Sequence, residues 1–444
     1  MNVGSLVASP SRARAAEGAV SVSRGFLWVL PGYLSYMLCQ WGMFVVLARC
    51  GSPEKVGQFA LALATTAPII LFTMMGLRRV CATDARSMFR YADYLGLRLV
   101  TNLAALGMIA LVVWTAGYGA KTVIVVLAMG LAKAIEAISD MHYGLFQRVG
   151  RIDLVARSLF IRGPLALAGL AAGFLATKDV LWGVVGMGAG WLATLLFFDW
   201  PWARRFSDVS RADADAGRAS SAASPRAWGL LARLALPLGL VALLGALKAS
   251  IPSLVIEKYL GVGALGFFAA VFYFYGASNR IVNGLGEAGA TRLATQYADG
   301  EVDEFARLVA RMLVVALAIG LAGLGVALLA GKALMIFFYG ADYGSMSEIL
   351  VVIMAAACAA NVQTILDVAM SAARHFRIQP FLYGAGALVL LLLCGALIPS
   401  DGLRGAGIAL GAASIFEMFA AAIVVGWALS RRRAARGQPA MEGS

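Results

Sequence analysis

Three ionisable side chains, Lys133, Glu136 and Asp140, stand in an apolar run that begins at Thr122 and leads into "GLAKAIEAISDMHYGLFQRVGRIDL" (130–154). On a helix turning 100° per residue, Lys133 and Asp140 fall about 20° apart and Glu136 about 60° from Lys133. Gln147 and Arg151 continue this stripe, and His142 points the opposite way. A second apolar run repeats the spacing: Arg280, Asn283 and Glu287 occupy i, i+3 and i+7, with Tyr273, Tyr275 and Asn279 beside them. A lipid-exposed charge in such a run costs at least about 2.5–3.5 kcal/mol. Both stripes must therefore face protein or a water-filled cavity.

The residue types point to anion binding and charge movement. Arg280 offers a bidentate fork to a phosphate, or else a structural ion pair with Glu287. Lys133 and Glu136 read either as an intrahelical pair that packs helices or as cavity lining. Lys248 lies between Pro237 and Pro252. It is either a cavity cation on a proline-kinked element or a lysine snorkelling to the interface. Tyr275 stacks on a sugar ring or simply packs. Tyr36 and Gln40, one turn apart on the first apolar segment, add polar lining. Glu417, a lone carboxylate near the centre of the last run, suits proton coupling and equally a protonated structural hydrogen bond. Asp140 and Asp367 lie toward a membrane face. The binding candidates are thus Arg280, Lys133, Lys248, Glu136, Asn283, Gln40, Tyr36 and Tyr275. The ion-coupling candidates are Glu417, Asp140 and Glu287, with Glu136 and Glu287 tempering the basic groups. No catalytic set emerges. The five cysteines form no CxxC, the two histidines are far apart, and no phosphate-binding loop of the Walker type is present. No metal and no cofactor are expected.

These residues must be held by membrane helices. The chain of 444 residues is 61% hydrophobic and 14% charged, with a mean hydropathy of +0.81. That composition excludes a soluble domain and predicts an all-α polytopic membrane protein. Twelve runs are long enough to cross about 30 Å of hydrocarbon: 25–49, 57–77, 94–117, 122–147, 154–176, 180–202, 228–256, 263–287, 308–331, 346–371, 378–398 and 404–429. Polar "RRFSDVSRADADAGRASSAASPRA" (204–227) reads as a flexible linker between two six-span halves. The organisation predicted is a disordered tail (1–23), a first lobe (24–203), the linker (204–227), a second lobe (228–430) and a basic tail (431–444).

The net charge of +13 reports orientation rather than nucleic-acid binding. Placing the N-terminus in the cytoplasm puts 28 lysines and arginines on that side and seven on the other, a strong positive-inside bias. Both termini are then cytoplasmic, and the arginines of "FQRVGRIDL" attract anionic headgroups. The halves also repeat. "VVLARCGSPEKVGQFALALA" (45–64) recurs as "LVIEKYLGVGALGFFAAVFY" (254–273), and "AISDMHYGLFQRVGRI" (137–152) more weakly as "TILDVAMSAARHFRIQ" (364–379). Six spans per repeat give parallel repeats, related by a pseudo-twofold axis along the membrane normal, and suggest a transporter.

"FVVLARCGSPEKVGQFALALATTAPIILFTMMGLRRVCATDAR" (44–86) resembles the opening helix pair of the polysaccharide (O-antigen type) flippases. These belong to the multidrug/oligosaccharidyl-lipid/polysaccharide exporter superfamily. The matching positions are Gly51, Gly57, Phe59, Ala60, Gly76 and Leu77, and "GLFQRVGRIDLVARSLFIRG" (144–163) is similar to the family's Gln-Arg segment leaving span four. With the twelve spans, the resemblance covers about residues 25–430. It implies a flippase of the bacterial inner membrane that moves an oligosaccharide linked to a polyprenyl carrier, usually undecaprenyl pyrophosphate, by alternating access without ATP. Membrane lipids and glycan-assembly proteins are the implied partners. A cation-coupled drug exporter of the same superfamily is the first alternative. Spans one and two lack the Asp or Glu expected of one, and the central cations favour an anionic substrate. A membrane polymerase or glycosyltransferase is the second, and the short loops on the non-cytoplasmic side argue against it.

Overall fold

The computed structural model describes residues 31–84, 88–215, 225–375 and 378–437. Among these the protein is all helix. Nine helices are long and apolar enough to cross a membrane, as the composition requires. The elements are α1 (31–50), α2 (Pro53–Met74), α3 (Leu77–Thr83), α4 (Tyr91–Ala116), α5 (Ala120–Arg148), α6 (Ile152–Thr177), α7 (Val180–Thr194), α8 (Trp200–Asp215), α9 (Pro225–Ala298), α10 (Val302–Tyr339), α11 (Ser347–Ala372) and α12 (Gln379–Gly437). A π-helical turn, Leu195–Asp199, joins α7 to α8, and a 3-10 turn, Ala341–Met346, precedes α11.

The two longest helices are broken in mid-course. In α9 the torsions leave the helical region at Gly261 (φ 81, ψ 175), and in α12 at Gly402 (φ 60, ψ −137). Positive φ is nearly free for glycine and costly for other residues, so these glycines separate the spans predicted as 228–256/263–287 and 378–398/404–429. The break in α9 falls at Gly261, whereas the chain stays helical through Pro237 and Pro252. At 38 residues, α10 is about 57 Å long and extends well beyond the hydrocarbon core.

Where it is described, the predicted linker is helical. α8 carries the chain from Trp200 to Asp215, and α9 starts at Pro225; the predicted tail is helical as far as Gly437. Residues 1–23, the predicted disordered tail, and residues 216–224 lie outside the described residues. α8 forms because Ala203 is buried and Trp202 and Phe206 pack on the same apolar cluster as Met141, Phe146 and Leu231. The polar residues between them occupy the other face.

The chain divides into two compact units: residues 1–43 with 70–239, and residues 44–69 with 240–444. In the first unit, α6 and α7 touch backbone to backbone. A Cβ at Gly169 would sit 2.1 Å from the Gly186 carbonyl oxygen, and one at Gly173 equally close to that of Trp182. Close approach through small residues four apart is how membrane helices gain packing energy without a hydrophobic drive. Arg98, fully buried on α4, donates to the carbonyls of Met74 (3.0 Å) and Thr73 (3.4 Å), which end α2 before the turn at Met75 and Gly76.

In the second unit, the start of α2 crosses the second arm of α9 at two glycines. A Cβ on Gly57 would lie 1.8 Å from the Val262 carbonyl oxygen, and one on Gly266 would lie 1.8 Å from that of Pro53. Positions 53 and 57 of the first sequence repeat correspond to 262 and 266 of the second. The two contacts are images of each other, the pattern of a local two-fold interface. Arg49, at the end of α1, donates to the carbonyls of Ile336, Phe337 and Phe338 in the last turn of α10, where carbonyls run short of helical partners; that of Ile336 also takes the Gly340 N–H.

Candidate functional site

Each unit holds a polar cluster. In the first, α5 presents Lys133 and Glu136, paired at 2.8 Å. Tyr36 on α1 donates to Glu136 at 2.6 Å, and Gln40, one turn on, donates to Tyr36 at 2.7 Å. Four of the predicted lining residues are therefore one network. The intrahelical pair is present, and it also carries a hydrogen-bond chain from another helix. The Lys133 ammonium lies 5.0 Å from the centre of the buried Trp191 ring, a distance at which a cation gains from the ring's quadrupole.

Behind this network sits a cluster the sequence reading missed. Arg162 on α6 is 1% exposed. Its guanidinium is 5.3 Å from the same Trp191 ring and 3.4 Å from the Tyr143 hydroxyl, which meets Ser158 at 2.7 Å. Asp199 is fully buried on the π-helical turn. Arg162 lies well inside the span predicted at 154–176, and that position is the signal the sequence offers.

Asp140 does not join Lys133 and Glu136. It pairs with Arg78 on α3 at 3.1 Å, and Arg78 also donates to Gln147 (3.2 Å) and Tyr33 (3.0 Å). Asp140 was read as an interfacial, ion-coupling residue. The fold instead gives it a dedicated counter-charge, because the turn at Met75 and Gly76 brings Arg78 back onto α5. The close fit shows at Gly144, where a Cβ would meet the Arg78 carbonyl oxygen at 3.1 Å.

In the second unit a cleft of about 410 Å³ opens between α9, α11 and α12. Lys248, Tyr275 and Asn283 line it, together with Asn279, Gln363, Thr364, Asp367, Ser371, Gln379 and Tyr383. Lys248 forms an ion pair with Glu417 and also lies 3.4 Å from Gln363 Oε1. Glu417 is 2% exposed. It is therefore not the lone carboxylate expected: its neighbour in space comes from another helix, 169 residues away in sequence. Nor is Lys248 a snorkelling residue, since its ammonium turns inward to a buried partner. Asp367, read as interfacial, accepts from Tyr383 at 3.2 Å and from Gln363 at 3.4 Å. Asn283 donates to Asn279 at 2.8 Å, and Asn279 donates to Thr364 at 2.9 Å.

Arg280 and Glu287 do not line this cleft. Arg280 is exposed and stacks over Tyr273, 5.6 Å from the ring centre. The pair with Glu287 does not form, because seven residues along a helix separate the two by about 10 Å. What the cleft can do chemically follows from its donors: one ammonium, four side-chain amides and several hydroxyls suit an anionic, oxygen-rich ligand.

No protein-family model matches the chain. It is 24% identical over 331 residues to the capsular polysaccharide biosynthesis protein CapF of Staphylococcus aureus, covering 74% of this chain and 80% of that protein. Among solved structures, the lipid II flippase MurJ in an inward closed conformation superposes with a TM-score of 0.71 at 12% identity, over 92% of this chain and 90% of that one. An inward-facing multidrug resistance MATE family transporter gives a TM-score of 0.69 at 14% identity, over 91% and 96%. The chain thus has the fold of the multidrug/oligosaccharidyl-lipid/polysaccharide exporter superfamily, as the resemblance in its own motifs implies.

Proposed function

We propose that the protein is a flippase that moves a polyprenyl-pyrophosphate-linked oligosaccharide, with undecaprenyl as the carrier, from the cytoplasmic to the outer leaflet of a bacterial inner membrane. One observation carries this reading: the cleft of the second unit is headed by Lys248 and lined with amides and hydroxyls. A wall with one ammonium and many amide and hydroxyl donors suits a pyrophosphate and its sugars. The fold shared with a lipid II flippase and the sequence likeness to a capsular polysaccharide biosynthesis protein support it.

In this reading Lys133, Lys248 and Arg280 supply positive charge along the path. Tyr36, Gln40, Tyr275 and Asn283 contact the glycan, and Glu136 keeps Lys133 from holding the substrate too tightly. Both termini and residues 204–227 are cytoplasmic, and twelve spans in two parallel repeats alternate access without ATP.

The test measures lipid-linked oligosaccharide on the cytoplasmic leaflet, and surface polysaccharide, in cells carrying variants at matched expression. The triple variant Lys133→Ala, Lys248→Ala, Arg280→Ala is expected to accumulate the former and lose the latter. Normal surface polysaccharide in that variant sinks the reading. Drug sensitivity in place of a polysaccharide defect points to the exporter alternative.

A further inference from the structure

The ion pair that closes the second unit's cleft has an unusual imbalance. Lys248 opens onto the cleft, its side chain 20% exposed, whereas that of Glu417 is 3% exposed. Glu417 uses one oxygen for the ammonium; the other, Oε1, is buried without a hydrogen-bond partner. Glycine at 386 makes room for it, since a Cβ there would lie 1.6 Å from Oε1. The carboxylate thus depends on Lys248 for its counter-charge, with the Gln363 amide beside it, while Lys248 remains reachable by a ligand from the cleft.

The groups facing Glu417 come from three helices. Lys248 and Tyr275 stand on α9, Gln363 and Asp367 on α11, and Tyr383 on the first arm of α12. Lys248 is the only cation among them, and Asp367 adds a second negative charge nearby. An anion that draws the ammonium away therefore leaves Glu417 buried, without a counter-charge and close to another carboxylate. An isolated buried carboxylate is costly to keep ionised, so protonation is the cheaper outcome.

We propose that Glu417 is a placeholder for the ligand's phosphate: it neutralises Lys248 in the empty cleft, yields the ammonium to a phosphate-bearing ligand, and takes one proton from water as it does so. The exchange balances. The ion pair Lys248–Glu417 breaks, an ammonium–phosphate pair forms, and a proton from bulk hydronium adds to Glu417 to give the neutral acid. The negative charge that enters with the ligand is offset by the proton. Release on the other side of the membrane reverses both steps, so one proton leaves with each ligand. The proposal rests on the flippase reading and adds a co-transported proton and the residue that carries it.

The experiment is calorimetric titration of the purified full-length protein with farnesyl pyrophosphate as the probe and farnesol as the uncharged control. Measurements in buffers of different ionisation enthalpy count the protons taken up. An arginine cannot lose its proton, so the comparison uses Lys248→Arg against Lys248→Arg, Glu417→Gln. This removes lysine ionisation from the count, and protons belonging to the probe cancel between the two. Lys248→Arg is expected to take up about one proton more than the double variant. Lys248→Arg, Asp367→Asn should behave as Lys248→Arg, and Lys248→Ala should bind about tenfold more weakly or worse. Equal proton uptake with and without Glu417, or uptake that follows Asp367 instead, overturns the placeholder and leaves the flippase reading standing. Failure of the wild-type protein to bind the probe, or equal binding of farnesol, removes both.

Discussion

At the scale of single residues, the function rests on who neutralises whom. Lys133 has Glu136, Arg78 has Asp140 and Lys248 has Glu417, while Arg280 has an aromatic face. Breaking a buried pair by removing one partner is far worse than never having built it. Hence Glu417→Ala is expected to harm folding, and the isosteric Glu417→Gln to spare it. Gly386→Ala tests the seat of that carboxylate without touching a charge. Its methyl must displace Glu417, so it should cost about 1–3 kcal/mol of stability and weaken binding of anionic ligands. Thermal melting and probe titration read the two effects, and an unaltered affinity shows that the carboxylate's position does not matter. At Arg280, replacement by alanine should impair transport more than replacement by lysine, which keeps charge but loses the fork; full activity of the lysine variant assigns Arg280 to charge alone, and equal defects show that charge without the fork contributes nothing. The spacing of Lys133 and Glu136 was legible from one helix because they are neighbours in sequence. The pairings of Asp140 and Glu417 were not, because their partners lie on other helices.

At the scale of elements, glycines set where helices bend and where they touch. The contact between α6 and α7 is backbone on backbone at Gly169 and Gly186. A side chain there must push the helices apart. Gly169→Leu is expected to lower the melting temperature, with a cost of about 1–3 kcal/mol or more. Gly107→Ala is the control, because open space surrounds that position on α4; it should be neutral or stabilising by about 0.5–1 kcal/mol. If Gly169→Leu melts like the wild type, the close crossing is wrong. α8 shows why the start of the predicted linker is helical. Its Ser, Ala, Asp and Arg content suggests a flexible segment, but Trp202, Ala203 and Phe206 share one face, and that face has a cluster to pack on.

At the scale of the whole molecule, the charge asymmetry predicts the orientation. Two of the 28 basic residues counted on the cytoplasmic side, Arg98 and Arg162, are buried in the first unit; removing them leaves the bias large. Residues 204–227 are expected to be cytoplasmic. A cysteine placed at Ser220, with the five native cysteines replaced, should resist a membrane-impermeant thiol reagent in intact cells and react after permeabilisation. Ready labelling in intact cells inverts the topology.

The sequence by itself determined what depends on one helix at a time. Run lengths and hydropathy dictated an all-helical membrane protein, since only internally bonded backbones are stable in lipid. The recurrence of Gly-x-Phe-Ala at Gly57 and Gly266 marked the repeat, and the motifs around Gly57 and Gly76 pointed to the superfamily. Tertiary structure decided everything that depends on two helices meeting. It turned Glu417 from a solitary carboxylate into the partner of Lys248, drew Gln363, Asp367 and Tyr383 into the same cleft, and tied Asp140 to Arg78. The reason is physical: a membrane helix's polar face is legible from its own periodicity, but the free energy of each buried charge is set by the counter-charge that packing brings to it.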